Sequence, residues 1–230
     1  MLIMTLDCSG TYCLVGIIEV KNNKEKSILF KRKKAKVFLA SNINLLVKNY
    51  FFTNKKLTSK IKLIAVNIGP GSYTGIRASL SFAKGIGMAL KLPVFGINLM
   101  DIFHFIALKE KKNANIISIC NFKKKSFLYR FTNQKTKYPI KDEIEHFEIN
   151  SILNRKEIYE NKRLIIIGDN AKIISNNLKK ELTQSFEIKV INRPYELSTS
   201  IVLAKIALLK KISGLNVSSD PFYVKSSDYF

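Results

Sequence analysis

Leu63-Ile64-Ala65-Val66-Asn67-Ile68-Gly69-Pro70-Gly71-Ser72-Tyr73-Thr74-Gly75-Ile76-Arg77-Ala78-Ser79-Leu80 passes from an apolar run through a Gly-Pro-Gly break into a helical pattern that extends to about residue 90. The implied layout is strand, glycine loop, helix. A loop of this kind points backbone N–H groups at whatever lies above the helix N-terminus. Three roles are open to it: binding phosphate, taking part in catalysis, or launching the helix behind it.

Phosphate comes first. No Gly-Lys-Ser/Thr closes the loop, so it is not a Walker A sequence. Its glycines allow close backbone approach, and Ser72 or Thr74 can cap the helix through a hydroxyl. A nucleotide or anion site here would draw on Asp7, Ser9, Gly69, Gly71 and Ser72. Helix capping explains the same residues without a ligand. Catalysis comes next. Asp7 ends the first apolar run and could serve a metal–nucleotide, or could simply close an Asx-turn on Ser9 or Gly10. The equivalent hairpin further on offers Asn121 rather than an acid. His104 and His146 are the only histidines and stand in no HxxxH or HExxH spacing, and no CxxC occurs, so neither a metal site nor a Ser/His/Asp set is expected. The reading assigns no catalytic residue and no cofactor of the chain's own.

The helix is the remaining role. Gly75, Ser79, Ala83 and Gly87 recur every four residues and make a flat stripe. Ala78, Gly85 and Ala89 keep the neighbouring face small as well, with apolar residues between them. A helix apolar or small nearly all round is buried nearly all round. One face goes to the chain's own sheet, and the other calls for a second lobe or a second chain. The expected partner-facing set is Ile76, Ser79, Leu80, Ala83 and Gly87, extended by Leu45, Leu46 and Tyr50 of the preceding helix. On that reading Ser79→Arg or Ala83→Arg blocks pairing and leaves the fold intact.

Working outward, residues 2–6, 13–20 and 27–33 read as three strands with short turns, an antiparallel meander. Leu39, Ile43, Leu46 and Tyr50 follow at helical spacing. The segment at 63–68, the helix at 75–90, a strand at 94–97 and a helix at 99–109 complete the first part. A meander joined to βα units implies an α/β fold with mixed sheets. The order β-β-β-α-β-α-β-α is also that of one lobe of the actin-like, ribonuclease-H-like (ASKHA) superfamily, an analogy of order alone. The rest reads as a shorter, divergent second lobe: a hairpin at 115–131, a strand at 163–168, helices at 171–182 and from Ser198, and a strand at 186–191. Domains are therefore expected at 1–98 and 99–230. Residues 132–161 carry no clear pattern, and no internal repeat is visible.

Composition narrows the setting. With 47% apolar residues a real core is affordable, and 39 basic against 17 acidic residues give a net charge of +22. That excess points to an anionic partner such as RNA, or to a lineage-wide bias toward Lys, Asn and Ile. Three cysteines are too few for a disulfide framework. No apolar run approaches the ~20 residues that span a bilayer. A reduced cytoplasmic location without membrane contact is expected.

The motifs also resemble a known family. Gly69-Pro70-Gly71-Ser72-Tyr73-Thr74-Gly75-Ile76-Arg77, continuing through Ala83-Lys84-Gly85, Ala89-Leu90 and Leu92-Pro93-Val94 to Gly96, is similar to the GPGSFTGLR…AKG…AL..PV.G segment of the TsaB (YeaZ) family. Asp7-Cys8-Ser9 stands where that family has Asp-Thr-Ser. The 121–129 segment resembles its second-lobe hairpin, Gly168-Asp169-Asn170-Ala171 its Gly-x-Gly-Ala turn, and Pro221-Phe222-Tyr223-Val224 its closing Pro-x-Tyr-Leu. The chain departs at Ala40-Ser41-Asn42, where many members have His-Ser-Glu, and at Asn121, where Asp is usual. The resemblance implies an actin-like two-lobe scaffold without activity of its own. It would be the dimerization subunit that pairs with and activates the catalytic TsaD-type paralogue, which transfers threonylcarbamoyl to N6 of adenosine 37 in tRNA. A TsaE-type accessory ATPase joins the pair, tRNA is met through the complex, ATP or ADP can sit at the junction of the complex, and the chain can homodimerize when alone. The rival readings are an actin-like ATPase or sugar-kinase relative, and a tRNA-binding module driven by charge.

Overall fold

The computed structural model describes residues 1–22, 24–34, 39–48, 55–110, 113–123, 126–133, 135–136, 138, 144–147, 161–181, 186–192, 196–215 and 220–222. The chain divides into two compact units. The first comprises Met1–Leu99 with Glu196–Phe230, the second Met100–Tyr195. This corrects the expected 99–230 lobe, because the last helix belongs to the first unit.

The first unit holds β1 (Leu2–Asp7), β2 (Tyr12–Lys21), β3 (Lys24–Lys34), α1 (Leu39–Val47), the one-turn α2 (Lys55–Thr58), β4 (Ile61–Gly69), α3 (Tyr73–Leu90) and β5 (Val94–Asn98). Its sheet order is β3-β2-β1-β4-β5, with β1–β2 and β2–β3 antiparallel and β4 parallel to both β1 and β5. The expected meander and βα units are present. Strands β1 and β4 are apolar at consecutive positions because both faces are covered. On one face Met4, Leu6, Val15, Ile17, Ile64 and Val66 meet Ile43 and Val47 of α1 and Leu80 and Ala83 of α3. On the other lies α6 (Glu196–Ile212), packed on β1, β2, β4 and β5. Its polar rim is tied down by Arg32–Glu196 (2.8 Å), Lys205–Glu25 (3.1 Å) and the Lys210 ammonium donating to the Gly96 carbonyl (2.8 Å). Glu196, rather than Ser198, opens that helix.

The second unit follows α4 (Leu99–Ala107) with β6 (Asn115–Lys123), β7 (Ser126–Asn133), β8 (Glu145–Phe147), β9 (Arg163–Gly168), α5 (Ala171–Glu181) and β10 (Glu187–Asn192). Its sheet order is β10-β9-β6-β7-β8, with the β6-β7-β8 meander antiparallel and β9 parallel to β6 and β10. The topology of the first sheet is thus repeated. The sequence shows no such repeat, because the two sheets share packing rules rather than residues. Within the patternless 132–161 stretch the described residues include the short edge strand β8.

One face of this sheet carries Ile117, Ile119, Phe127 and Tyr129 against Ala171, Ile174 and Leu178 of α5. The opposite face is polar at its centre. Arg130 pairs with Asp101 of α4, both buried, and His104 Nδ1 lies 2.8 Å from Thr132 Oγ1. Burial, and then the nearby Asp101 carboxylate, push the Tyr138 phenol above its ordinary value, so it stays neutral beside this pair.

Removing one partner of a buried ion pair strands the other charge. Asp101→Ala is therefore expected to destabilise the chain by about 3–5 kcal/mol in urea unfolding, and Asp101→Leu combined with Arg130→Met to restore most of that loss. A loss under about 1 kcal/mol for the single variant would show that the pair is solvated rather than buried.

Candidate partner-binding site

The glycine loop is tied to the first hairpin by its own polar groups. Asp7 is buried and accepts from the Ser9 N–H (2.8 Å). Asn67, fully buried, donates from its side-chain amide to Ser9 Oγ (3.0 Å) and accepts from the Gly69 N–H (2.8 Å). The Ser72 N–H donates to the Ser9 carbonyl (2.8 Å), and the Gly75 N–H to Ser72 Oγ (3.2 Å). Ser72 is therefore the N-cap, and Thr74 lies inside the helix. Sequence reasoning missed Asn67. Its signal was a lone amide inside the apolar run 63–68, which a buried strand tolerates only if its hydrogen bonds are made.

Close approach explains the glycines. A Cβ on Gly75 would lie 1.9 Å from the Cys8 carbonyl oxygen, and one on Gly71 2.6 Å from that of Ser9. Gly69 has φ 108°, which favours glycine, and its peptide bond to Pro70 is cis. The Phe222 N–H donates to the Ile68 carbonyl (2.8 Å), so the C-terminal segment also lies over the loop. Beneath it Cys8 and Cys13 are buried free thiols. The hydrogen bond to Cys13 and burial push Cys8 up, and the same bond lowers Cys13.

These contacts bear on the nucleotide reading. The N–H groups of Gly69, Ser72 and Gly75 are turned to partners within the loop and hairpin, and Asp7 brings a carboxylate that already holds Ser9. Those three N–H groups are thus committed to partners within the chain. No group of three or more His, Cys, Asp or Glu side chains fit to hold a metal occurs among the described residues.

The placement of the expected interface residues needs correction. Ile76, Ser79, Leu80, Ala83 and Gly87 are buried, Ser79 and Ala83 completely, on the α3 face that packs against β4, β1 and β5. Ser79 Oγ donates back to the Gly75 (3.0 Å) and Ile76 (3.1 Å) carbonyls. Leu46 is in the same core, Leu45 is exposed, and Tyr50 lies outside the described residues. The reason is geometric. Two small stripes run along α3, Gly75-Ser79-Ala83-Gly87 and, two positions on, Ser81-Gly85-Ala89, and the one that meets the sheet is the one that starts at the Gly75–Cys8 contact.

The other stripe faces outward. Ala78, Ser81, Phe82, Gly85, Ile86 and Ala89 repeat at i, i+3, i+4, and with Ile43 and Asn44 of α1 they line a groove of about 530 Å³. Among the described residues, none that lines it is charged. A Cβ on Gly85 would meet nothing within 4 Å, and Met88 beyond the groove is 82% exposed. A groove floored by small residues admits another helix at close range. At the opposite end of α3 the Arg77 guanidinium lies 4.0 Å over the Tyr73 ring.

Comparison with known proteins places this geometry. A family model described as TsaD, tRNA N6-adenosine threonylcarbamoyltransferase, matches residues 33–120. The tRNA threonylcarbamoyladenosine biosynthesis protein TsaB of Buchnera aphidicola subsp. Schizaphis graminum is 27% identical over 202 residues, covering 84% of this chain and 88% of the relative. YeaZ from Pseudomonas aeruginosa superposes with a TM-score of 0.70 at 15% identity, over 97% of this chain and 99% of that one. A ROK family protein from Streptococcus pneumoniae gives 0.52 at 10% identity over 93% and 100%. The structural likenesses establish the actin-like, ribonuclease-H-like fold. The glycine-loop motif, the curated relative and the matched family model agree in likening this chain to the TsaB (YeaZ) family.

Proposed function

We propose that this chain serves tRNA threonylcarbamoyladenosine biosynthesis as a dimerization subunit without catalytic residues of its own, pairing with and activating the TsaD-type transferase. The observation that carries this reading is the uncharged groove between α1 and α3. It is formed by the outer stripe of the helix that bears the family motif, and its small floor lets another helix approach closely. The relative's name supplies the pathway. In this reading the TsaE-type ATPase and tRNA join through the complex, and ATP or ADP sits where the partner contributes groups. In the partner's absence a second copy of this chain covers the groove. The setting is the cytoplasm, and no described helix is long and apolar enough to cross a membrane. A nucleotide hydrolase draws less support, since the loop's donors are turned inward.

Co-expression with the catalytic paralogue, read by size exclusion and by modification of unmodified tRNA, tests the reading. Gly85→Arg and Ile86→Arg put charge into the groove, and the first also replaces a poor helix former. Both are expected to keep the melting temperature within a few degrees and to lower pair formation and modification by roughly tenfold or more, the loss of about 1.4 kcal/mol or more of binding. Ser79→Arg, which inserts a charge against the sheet, is expected to unfold the chain. Normal pairing by Gly85→Arg and Ile86→Arg would move the interface elsewhere, and full modification without this chain would end the proposal.

A further inference from the structure

The β2–β3 hairpin holds a charge density that the rest of the molecule lacks. From 21 to 34, half of the fourteen positions are Lys or Arg and Glu25 is the lone acid, against 39 basic residues in 230 overall. A general lysine bias does not produce such a concentration in one element.

The register sorts these charges by face. Lys21 lies opposite Lys24, Glu19 opposite Lys26, Val15 opposite Lys31 and Cys13 opposite Lys33, with the ladder shifting once at Ile17/Ile18. Directly paired residues share a face. Lys21, Lys24, Lys26, Lys31 and Lys33 therefore stand on the side where Val15 and Ile17 meet α1. Arg32 and Lys34 fall on the other side, where Arg32 is engaged by Glu196. Lys21, Lys24, Lys26 and Lys33 are exposed and form no ion pair among the described residues. The acids that could offset them are few. Glu25 is held by Lys205, and only the half-buried Glu19 shares the lysine face.

Strand β3 is the edge of its sheet. One or two lysines suffice to keep an edge from pairing with another strand. A row running ten residues, roughly 30 Å at the strand rise, exceeds that need. Like charges in such a row repel one another until an anion lies along them.

We infer that this lysine row binds the phosphate backbone of RNA, the substrate RNA of the modification complex. The inference rests on the proposed function for the identity of the RNA. A linear array of point charges fits a linear array of phosphates and reads no bases. A membrane surface fits less well, since Ile28 is the one large apolar side chain exposed on this ribbon and an interfacial element needs an apolar face. The row lies on the sheet face that α1 and α3 cover, so RNA bound there runs beside a partner seated in the groove.

The test is anisotropy of fluorescent unmodified tRNA titrated with the transferase pair, and with this chain alone, from about 50 to 200 mM KCl. Replacing Lys21, Lys24, Lys26 and Lys33 together by Gln is expected to weaken binding by roughly tenfold or more and to flatten the log–log salt slope by about 3. The same four changed to Arg keep binding. An equal loss of charge at Lys162, Lys172, Lys179 and Lys180 leaves it unchanged. Wild-type affinity in the Gln variant, or an equal loss in the control variant of the second unit, overturns the inference and leaves the pairing untouched. Ribbon-dependent binding to phosphatidylserine vesicles with tRNA binding unaltered reassigns the row to a membrane and overturns it as well. If no pair forms, the proposed function fails, and the titration of the chain alone decides the RNA question.

Discussion

Helix α3 begins where its backbone nearly touches the end of β1. At Gly75 there is no room for a side chain, because the Cys8 carbonyl oxygen occupies the place a Cβ would take. That contact sets the rotation of an eighteen-residue helix. Residues at four-residue intervals from Gly75 go down onto the sheet, and Ser81, Gly85 and Ala89 go out. The hydrogen bonds around it hold the rotation. Asn67 joins β4 to the hairpin, Ser72 joins the loop to Ser9, and Asp7 holds Ser9 in place. The groove with α1 is a consequence of this rotation. A turn of the helix by one position would close it.

The second unit uses the same device with different residues. Gly168 ends β9 with φ 124°, and a Cβ there would lie 1.9 Å from the Ile119 carbonyl. The Asp169 N–H donates to that same carbonyl (3.1 Å). In both units a glycine lets the strand-to-helix turn lie hard against the end of the neighbouring hairpin strand, Gly75 within the helix in the first and Gly168 at the strand end in the second. Around this corner each unit builds the same five-stranded order. The units differ in what they bury. The first buries the short polar side chains of Thr5, Asp7 and Asn67 in its sheet, while the second carries the Asp101–Arg130 ion pair, which ties α4 to β7 at the cost of desolvating two charges.

Charge and apolarity are segregated in the first unit. The α1/α3 groove has no charged lining, and the β2–β3 edge beside α1 is densely basic. A dry protein contact and a wet, salt-sensitive one make opposite demands on a surface. The two surfaces lie on neighbouring elements of one sheet face, the uncharged lining apart from the lysines.

The strands, the glycine loop, the helix behind it and the family were all legible in the chain itself. Each rests on local chemistry: alternation or continuity of apolar residues, turn-forming glycines and an N-cap serine. Three things were decided only in the folded molecule. One is which of two equivalent small stripes on α3 meets the sheet, because a period of four residues carries no information about rotation. Another is the role of Asn67, which reads as a weak spot in a strand until Ser9 is brought beside it from fifty-eight residues away. The last is the assignment of the final helix to the first unit. Contacts between segments at opposite ends of a chain leave no mark on the local pattern of either, and only the folded sheet shows which face α6 covers.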